Sequence, residues 1–122
     1  MPKVLKFKPH VIFLWIGSNN INGMFDRYAC LRQFKEYYNV FERENIKCFT
    51  LAFPNRYEGD STYNWESSAI NRTLRKFQKD NFVPLPPSAY IRRSYRRDGV
   101  HFRVHLYDHI ARIMKEKIRS LF

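Results

Sequence analysis

Asp98 and His101 stand three residues apart in the stretch Arg96-Arg97-Asp98-Gly99-Val100-His101-Phe102, just ahead of a helical pattern. In a tight turn, side chains at that spacing lie on the same side. A carboxylate there accepts the Nδ1 proton of the imidazole, fixes its tautomer and stabilises the imidazolium once it forms. Nε2 is then free to take a proton from a hydroxyl nucleophile. A lone Asp-x-x-His is weak on its own, because Asp-Gly is a common turn and many histidines merely open a helix.

A second element lies far upstream, where Gly17-Ser18-Asn19-Asn20 closes an apolar run. A carboxamide at Asn19 can aim its NH2 at a developing oxyanion, and losing one such donor costs an acyl-transfer enzyme about 10²–10³ in rate. Glycine at position 17 lets the backbone approach a substrate closely. The pair, in this order, is more specific than either half.

These residues need elements to hold them. Residues 11–16, Val-Ile-Phe-Leu-Trp-Ile, are apolar at successive positions and too few for a helix, so they read as a strand buried on both faces. Phe25, Tyr28, Leu31, Phe34, Tyr38 and Phe41 recur by threes and fours, the stripe of an amphipathic helix. Residues 46–53 form a second strand-like run, closed by Pro54-Asn55. Ile70, Leu74 and Phe77 mark one face of a second helix, with its start near Ser67 or Ser68, or earlier at Asn64. Residues 82–85 read as a short third strand whose prolines suit a strand end. The last helix carries Leu106, Ile110, Ile113, Met114, Ile118 and Leu121 on its apolar face. The order β-α-β-α-β-loop-α predicts a parallel sheet with helices on its faces. The ligand crevice of such sheets lies outside the carboxyl ends of the strands. The loops at residues 17–20, 54–62 and 86–101 should therefore share one rim.

With both motifs in hand, the chain resembles the C-terminal two-thirds of an SGNH hydrolase (GDSL-like esterase/lipase) domain. FLWIGSNNI is similar to the block usually written GxND, and DGVHF to the DxxH block before the last helix. SAINRTLRKF resembles the helix between them, where an Ile-Asn-x-x-Leu pattern recurs in members encoded by retroelements. The resemblance implies a flavodoxin-like, three-layer α/β/α sandwich and carboxylic ester hydrolysis without a cofactor. It also implies that His101 is the base, Asp98 its orienting partner, and Asn19 and Gly17 part of the oxyanion site. The chain departs from the pattern at Asn20, where an amide replaces the usual carboxylate, and at Arg103 and Leu106. The family's first block, a strand ending in Gly-Asp-Ser, should precede residue 11, where no serine stands. Gly59-Asp60-Ser61 has the right letters, but it lies downstream of Asn19 in a polar loop, where such residues serve turns and helix caps. The expectation is a single domain incomplete at its N-terminus and inactive as it stands. The open flank of its first strand should recruit other copies of the chain.

Charge supplies a different reading. Lys and Arg total 22 against 11 Asp and Glu, a formal +11, which attracts polyanions such as RNA. Residues 90–97 interleave two tyrosines with Arg92, Arg93, Arg96 and Arg97, offering forked donors for phosphate and rings for bases. A nucleic-acid-binding module without catalysis is the alternative function. His101, His105 and His109 recur every four residues, as zinc ligands on one helix face can, but no Cys or Glu completes a familiar site, and no metal is assigned. Cys30 and Cys48 read as reduced thiols. With no apolar run long enough to span a bilayer and no signal peptide, the expectation is a cytoplasmic or nuclear protein.

Overall fold

The computed structural model describes residues 2–17, 21, 25–57 and 61–122. Three strands, β1 (Val11–Leu14), β2 (Lys47–Leu51) and β3 (Phe82–Val83), form a parallel sheet in that order. The helices are α1 (Pro2–Leu5), α2 (Arg27–Arg43), α3 (Ser61–Gln78) and α4 (Val104–Arg119). Strand order follows chain order, and α2 and α3 pack against each other and against β2, on one face of the sheet.

Strand alternation separates the two faces. Thr50 looks toward α2, where its Oγ1 lies 2.8 Å from the hydroxyl of Tyr38. Phe13 and Phe49 are register partners and stack at 5.1 Å. Trp15, continuing the Phe13 face, meets Phe102 and Tyr107 at 6.2 and 6.5 Å, on the α4 side. The result is an α/β/α sandwich of three layers. Leu14, Phe34, Phe41, Leu51, Ile70 and Leu74 lie in one continuous core with Leu106 and Ile110 of α4.

Local signals explain the elements. Asp26 caps α2 by accepting from the N–H groups of Tyr28 and Ala29 at 3.0 and 3.2 Å, a feature worth about 1 kcal/mol. Asn45 takes the left-handed conformation (φ 62°) beyond the helix end, and Ile46 N–H closes back on Phe41 O at 2.8 Å. The chain then enters β2 directly.

Several sequence expectations are corrected. Among the described residues β1 is an edge strand, and it is mostly half-buried rather than buried on both faces, with Ile16 beyond it exposed. β3 ends at Val83, because Pro84 brings no N–H to continue the ladder. α3 starts at Ser61, ahead of Asn64, Ser67 and Ser68, which lie inside it. Ser67 does not cap; its hydroxyl donates to Asn64 O one turn back. Phe77, Ile118 and Leu121, expected on core faces, are exposed. Both cysteines are free, with Cys48 buried, and burial pushes its thiol up to about 11. No described helix is long and apolar enough to cross a membrane.

Candidate acid–base site at the rim of the sheet

Residues 95–102 form a small hairpin that presents the Asp-x-x-His pair. Tyr95 and Phe102 form an antiparallel bridge, and Arg96 N–H donates to His101 O at 2.8 Å. At the tip Gly99 N–H closes on Arg96 O at 3.0 Å, with Gly99 at φ 70°, a conformation that favours glycine. One oxygen of Asp98, Oδ1, accepts from the N–H groups of Val100 and His101 at 2.9 and 3.0 Å. The other, Oδ2, lies 2.7 Å from Nδ1 of His101. The hydrogen bond to the imidazole, followed by those from the two backbone N–H groups, holds the Asp98 carboxyl well below the usual carboxylate range. The carboxylate thus fixes Nδ1 as the protonated nitrogen. Nε2 receives no hydrogen bond among the described residues.

His101 also lines a cavity of about 150 Å³, with Trp15, Phe53, Pro54 and Tyr107 among its walls. The walls are mostly aromatic: Trp15 and Phe53 come from just beyond β1 and β2, Phe102 from the hairpin and Tyr107 from α4. Trp15 is anchored by its indole N–H, which donates to Ala52 O at 3.0 Å. Gly17 adopts φ 100°, and a Cβ on it would stand 3.0 Å from Cζ of Phe53. The positive φ strains any L residue at this position, and the Phe53 ring would have to give by a few tenths of an ångström to admit a Cβ. Asn19, with Ser18 and Asn20, lies outside the described residues, so the oxyanion assignment of Asn19 stays with the sequence.

The loop after β2 is held from α3 by two asparagines seven residues apart. Asn71 accepts from Phe53 N–H at 2.7 Å and donates to Phe53 O at 3.0 Å. Asn64 does the same for Arg56, at 2.7 and 2.9 Å. Each amide mimics a strand neighbour for a backbone that has left the sheet. The clamped loop reaches the hairpin, because Tyr57 N–H donates to Gly99 O at 2.7 Å and Tyr57 Oη to Tyr90 O at 2.6 Å. The expected convergence of loops on one rim is thus seen for their described parts. Asn71 had a signal in the Ile-Asn-x-x-Leu pattern, and Asn64 in the seven-residue spacing that sets both amides on one helix face.

The basic loop is more ordered than its composition suggests. Tyr95 is fully buried, its hydroxyl donating to Ala89 O at 2.7 Å and its ring packed edge-on against Tyr57 and Phe102. It offers no face to a base. Arg92 spends its guanidinium on the hairpin, donating to Arg96 O and Arg97 O at 3.0 and 3.1 Å. Arg93, Arg96 and Arg97 are exposed. His101 precedes α4, so it does not share a helix face with the exposed His105 and His109. Ser61 is the first residue of α3, while Gly59 and Asp60 lie outside the described residues.

No protein-family model matches the sequence, and no curated protein matches it. Solved structures do share the architecture. One is a protein named as an acylhydrolase from Bacteroides fragilis, with a TM-score of 0.81 at 15% identity, covering 98% of this chain and 66% of its own. A GDSL-like lipase from Bacteroides thetaiotaomicron gives 0.82 at 16%, covering 99% and 67%. A carbohydrate esterase family 3 protein from Talaromyces cellulolyticus gives 0.73 at 19%, covering 97% and 61%. The chain therefore spans between 61% and 67% of the length of these structures. At such identities the likeness is one of architecture, and the chain has the flavodoxin-like α/β fold of SGNH-type hydrolases.

Proposed function

We propose that this chain carries the acid–base half of an acyl hydrolase site, acting on carboxylic esters. The observation that carries the reading is the Asp98–His101 pair at 2.7 Å, beside an aromatic-walled cavity. In the proposed reaction His101 Nε2 takes the proton of a seryl hydroxyl as its oxygen attacks the ester carbonyl carbon. Asp98 stabilises the imidazolium, which returns the proton to the departing alkoxide as the C–O bond breaks. Water then releases the acyl group by the same exchange. Gly17 and Asn19 would face the oxyanion.

Residues 1–122 alone should turn over little or no ester, since no serine stands ahead of residue 11. With p-nitrophenyl acetate and butyrate the expected rate is the background rate. Turnover lost in His101→Ala would show that a nucleophile is present, and its loss in Ser61→Ala as well would identify that residue. Joining a strand that ends in Gly-Asp-Ser ahead of β1 should confer turnover that disappears in His101→Ala. Turnover in that fusion that is indifferent to His101 would refute the acid–base role.

A second reading is a polyanion-binding module, with RNA as the foremost partner. It is favoured by the formal +11 charge and by exposed Arg93, Arg96 and Arg97 beside the same rim. Salt-sensitive binding of single-stranded RNA that weakens in the Arg92, Arg93, Arg96, Arg97→Ala variant would support it.

A further inference from the structure

We propose that the outer seam between α2 and α3 is a stacking platform for single-stranded nucleic acid, centred on Tyr28, Arg27 and Trp65. The proposal takes its class of partner from the polyanion reading and moves the contact surface away from the basic loop.

Arg27 lies between two rings, its guanidinium carbon 5.5 Å from the centroid of Tyr28 and 5.0 Å from that of Trp65. A carboxylate oxygen of Glu66 stands 3.8 Å from the same guanidinium. The cation is mostly covered, whereas Tyr28 is 66% and Trp65 60% exposed. The rings therefore shield the charge and turn open surface to solvent. Cation–π attraction holds the guanidinium between the two rings. That accounts for the Arg27 geometry and leaves the outward exposure of two large rings unexplained.

Cations continue the platform along both helices. On α2, Tyr28, Arg32 and Lys35 are spaced by four and three residues, and on α3, Trp65, Arg72 and Lys76 by seven and four. Each set lies along one helix face. All six are exposed, and Lys35 reaches across the seam to within 4.3 Å of the Phe77 ring centroid. Each helix thus presents an aromatic ring near its N-terminus, followed by two positive charges. Single-stranded nucleic acid has that pairing of chemistries, with flat bases for the rings and phosphates for the cations. Bases stack on aromatic rings with little sequence preference, because every base has a π-face. The basic loop lacks this pairing, because the Tyr95 ring is buried.

Trp15 is half-buried, its indole bonded to Ala52, so Trp65 is the tryptophan exposed at the outer surface. Titrating the full chain with a uridine decamer should quench tryptophan emission. The quench should vanish in Trp65→Phe, while binding followed by anisotropy of a labelled decamer remains. Tyr28→Ala with Trp65→Ala should weaken binding by about tenfold or more, and Trp65→Phe keeps a ring if that double variant is unstable. Arg32→Ala with Lys76→Ala should make the loss of affinity with salt less steep. Inorganic polyphosphate competing as well as the decamer would overturn the stacking role. Anionic phosphatidylserine vesicles that quench Trp65 where the decamer does not would make the partner a membrane surface. Decamer binding unchanged in the Tyr28/Trp65 variant and lost without Arg93, Arg96 and Arg97 would sink this site and keep the polyanion reading. No decamer binding at all would sink both.

Discussion

The backbone N–H of Tyr57 donates to the carbonyl of Gly99 at 2.7 Å, joining the loop after β2 to the turn that holds Asp98. The same loop is fixed at Phe53 and Arg56 by Asn71 and Asn64. A continuous set of hydrogen bonds therefore runs from α3, through the loop, to the acid–base pair. The pair itself is exposed, with little packing of its own to fix it.

The first test of this arrangement is Asn71→Ala. It leaves the N–H and C=O of Phe53, a residue only 2% exposed, without their partner. Such a loss costs about 1–3 kcal/mol. The urea midpoint should fall at unchanged slope, and Asn64→Ala should cost less, because Arg56 is only half-buried. Equal midpoints for wild type and Asn71→Ala would mean that water replaces the amide without penalty.

Gly17→Ala should destabilise the chain by more than about 1 kcal/mol. The φ of 100° strains an L residue, and the added methyl would stand 3.0 Å from the Phe53 ring. Thermal unfolding measures this. A midpoint equal to wild type would show that the Phe53 ring and the turn both yield freely.

Asp98 gives a pH prediction with a definite sign. Its native carboxyl is more acidic than the unfolded one, so the native state binds its proton less readily. The stabilisation is complete above the ordinary carboxylate value of about 4 and is lost as pH falls below it toward the native value. Carboxyl ¹³C NMR should find Asp98 still ionised where ordinary aspartates are half protonated. In His101→Ala its titration should move up, part of the way only, because the N–H groups of Val100 and residue 101 remain. An Asp98 titration unmoved by that substitution would contradict the 2.7 Å bond.

β1 pairs with β2 alone among the described residues, so its other flank carries unpaired N–H and C=O groups. α1 is a helical turn and supplies no strand for it. Residues 1–122 should self-associate despite their charge. In sedimentation velocity the average coefficient should rise with protein concentration. A single monomer boundary across the micromolar range would refute the edge argument.

The parallel sheet was legible because two short strand-like runs, residues 11–16 and 46–53, alternate with longer helical stripes. The Asp98–His101 pair was legible because both partners share one turn, so local spacing sets their distance. The two asparagine clamps act across the chain, and nothing local to Phe53 or Arg56 announces a side chain arriving from α3. Tyr95 misled for a related reason. Flanked by arginines it reads as surface, yet the hairpin turns its ring inward onto Tyr57 and Phe102. Phe77, Ile118 and Leu121 fit a helical stripe but lie near helix ends, where the stripe has run past the layer beneath it.

Arg92 separates two properties that a formal charge merges. Its guanidinium gives donors to the carbonyls of Arg96 and Arg97, and Arg103 likewise gives its Nε–H to Tyr95 O at 3.1 Å. A carbonyl accepts a hydrogen bond without cancelling a positive charge, so both residues still add to the field felt by an approaching polyanion. Arg92 has committed the fork of two terminal nitrogens that would close on a phosphate, whereas Arg103 has committed its Nε–H alone. Arg92 should therefore speed encounter, with an effect that salt erases, while contributing little to how long a bound partner stays.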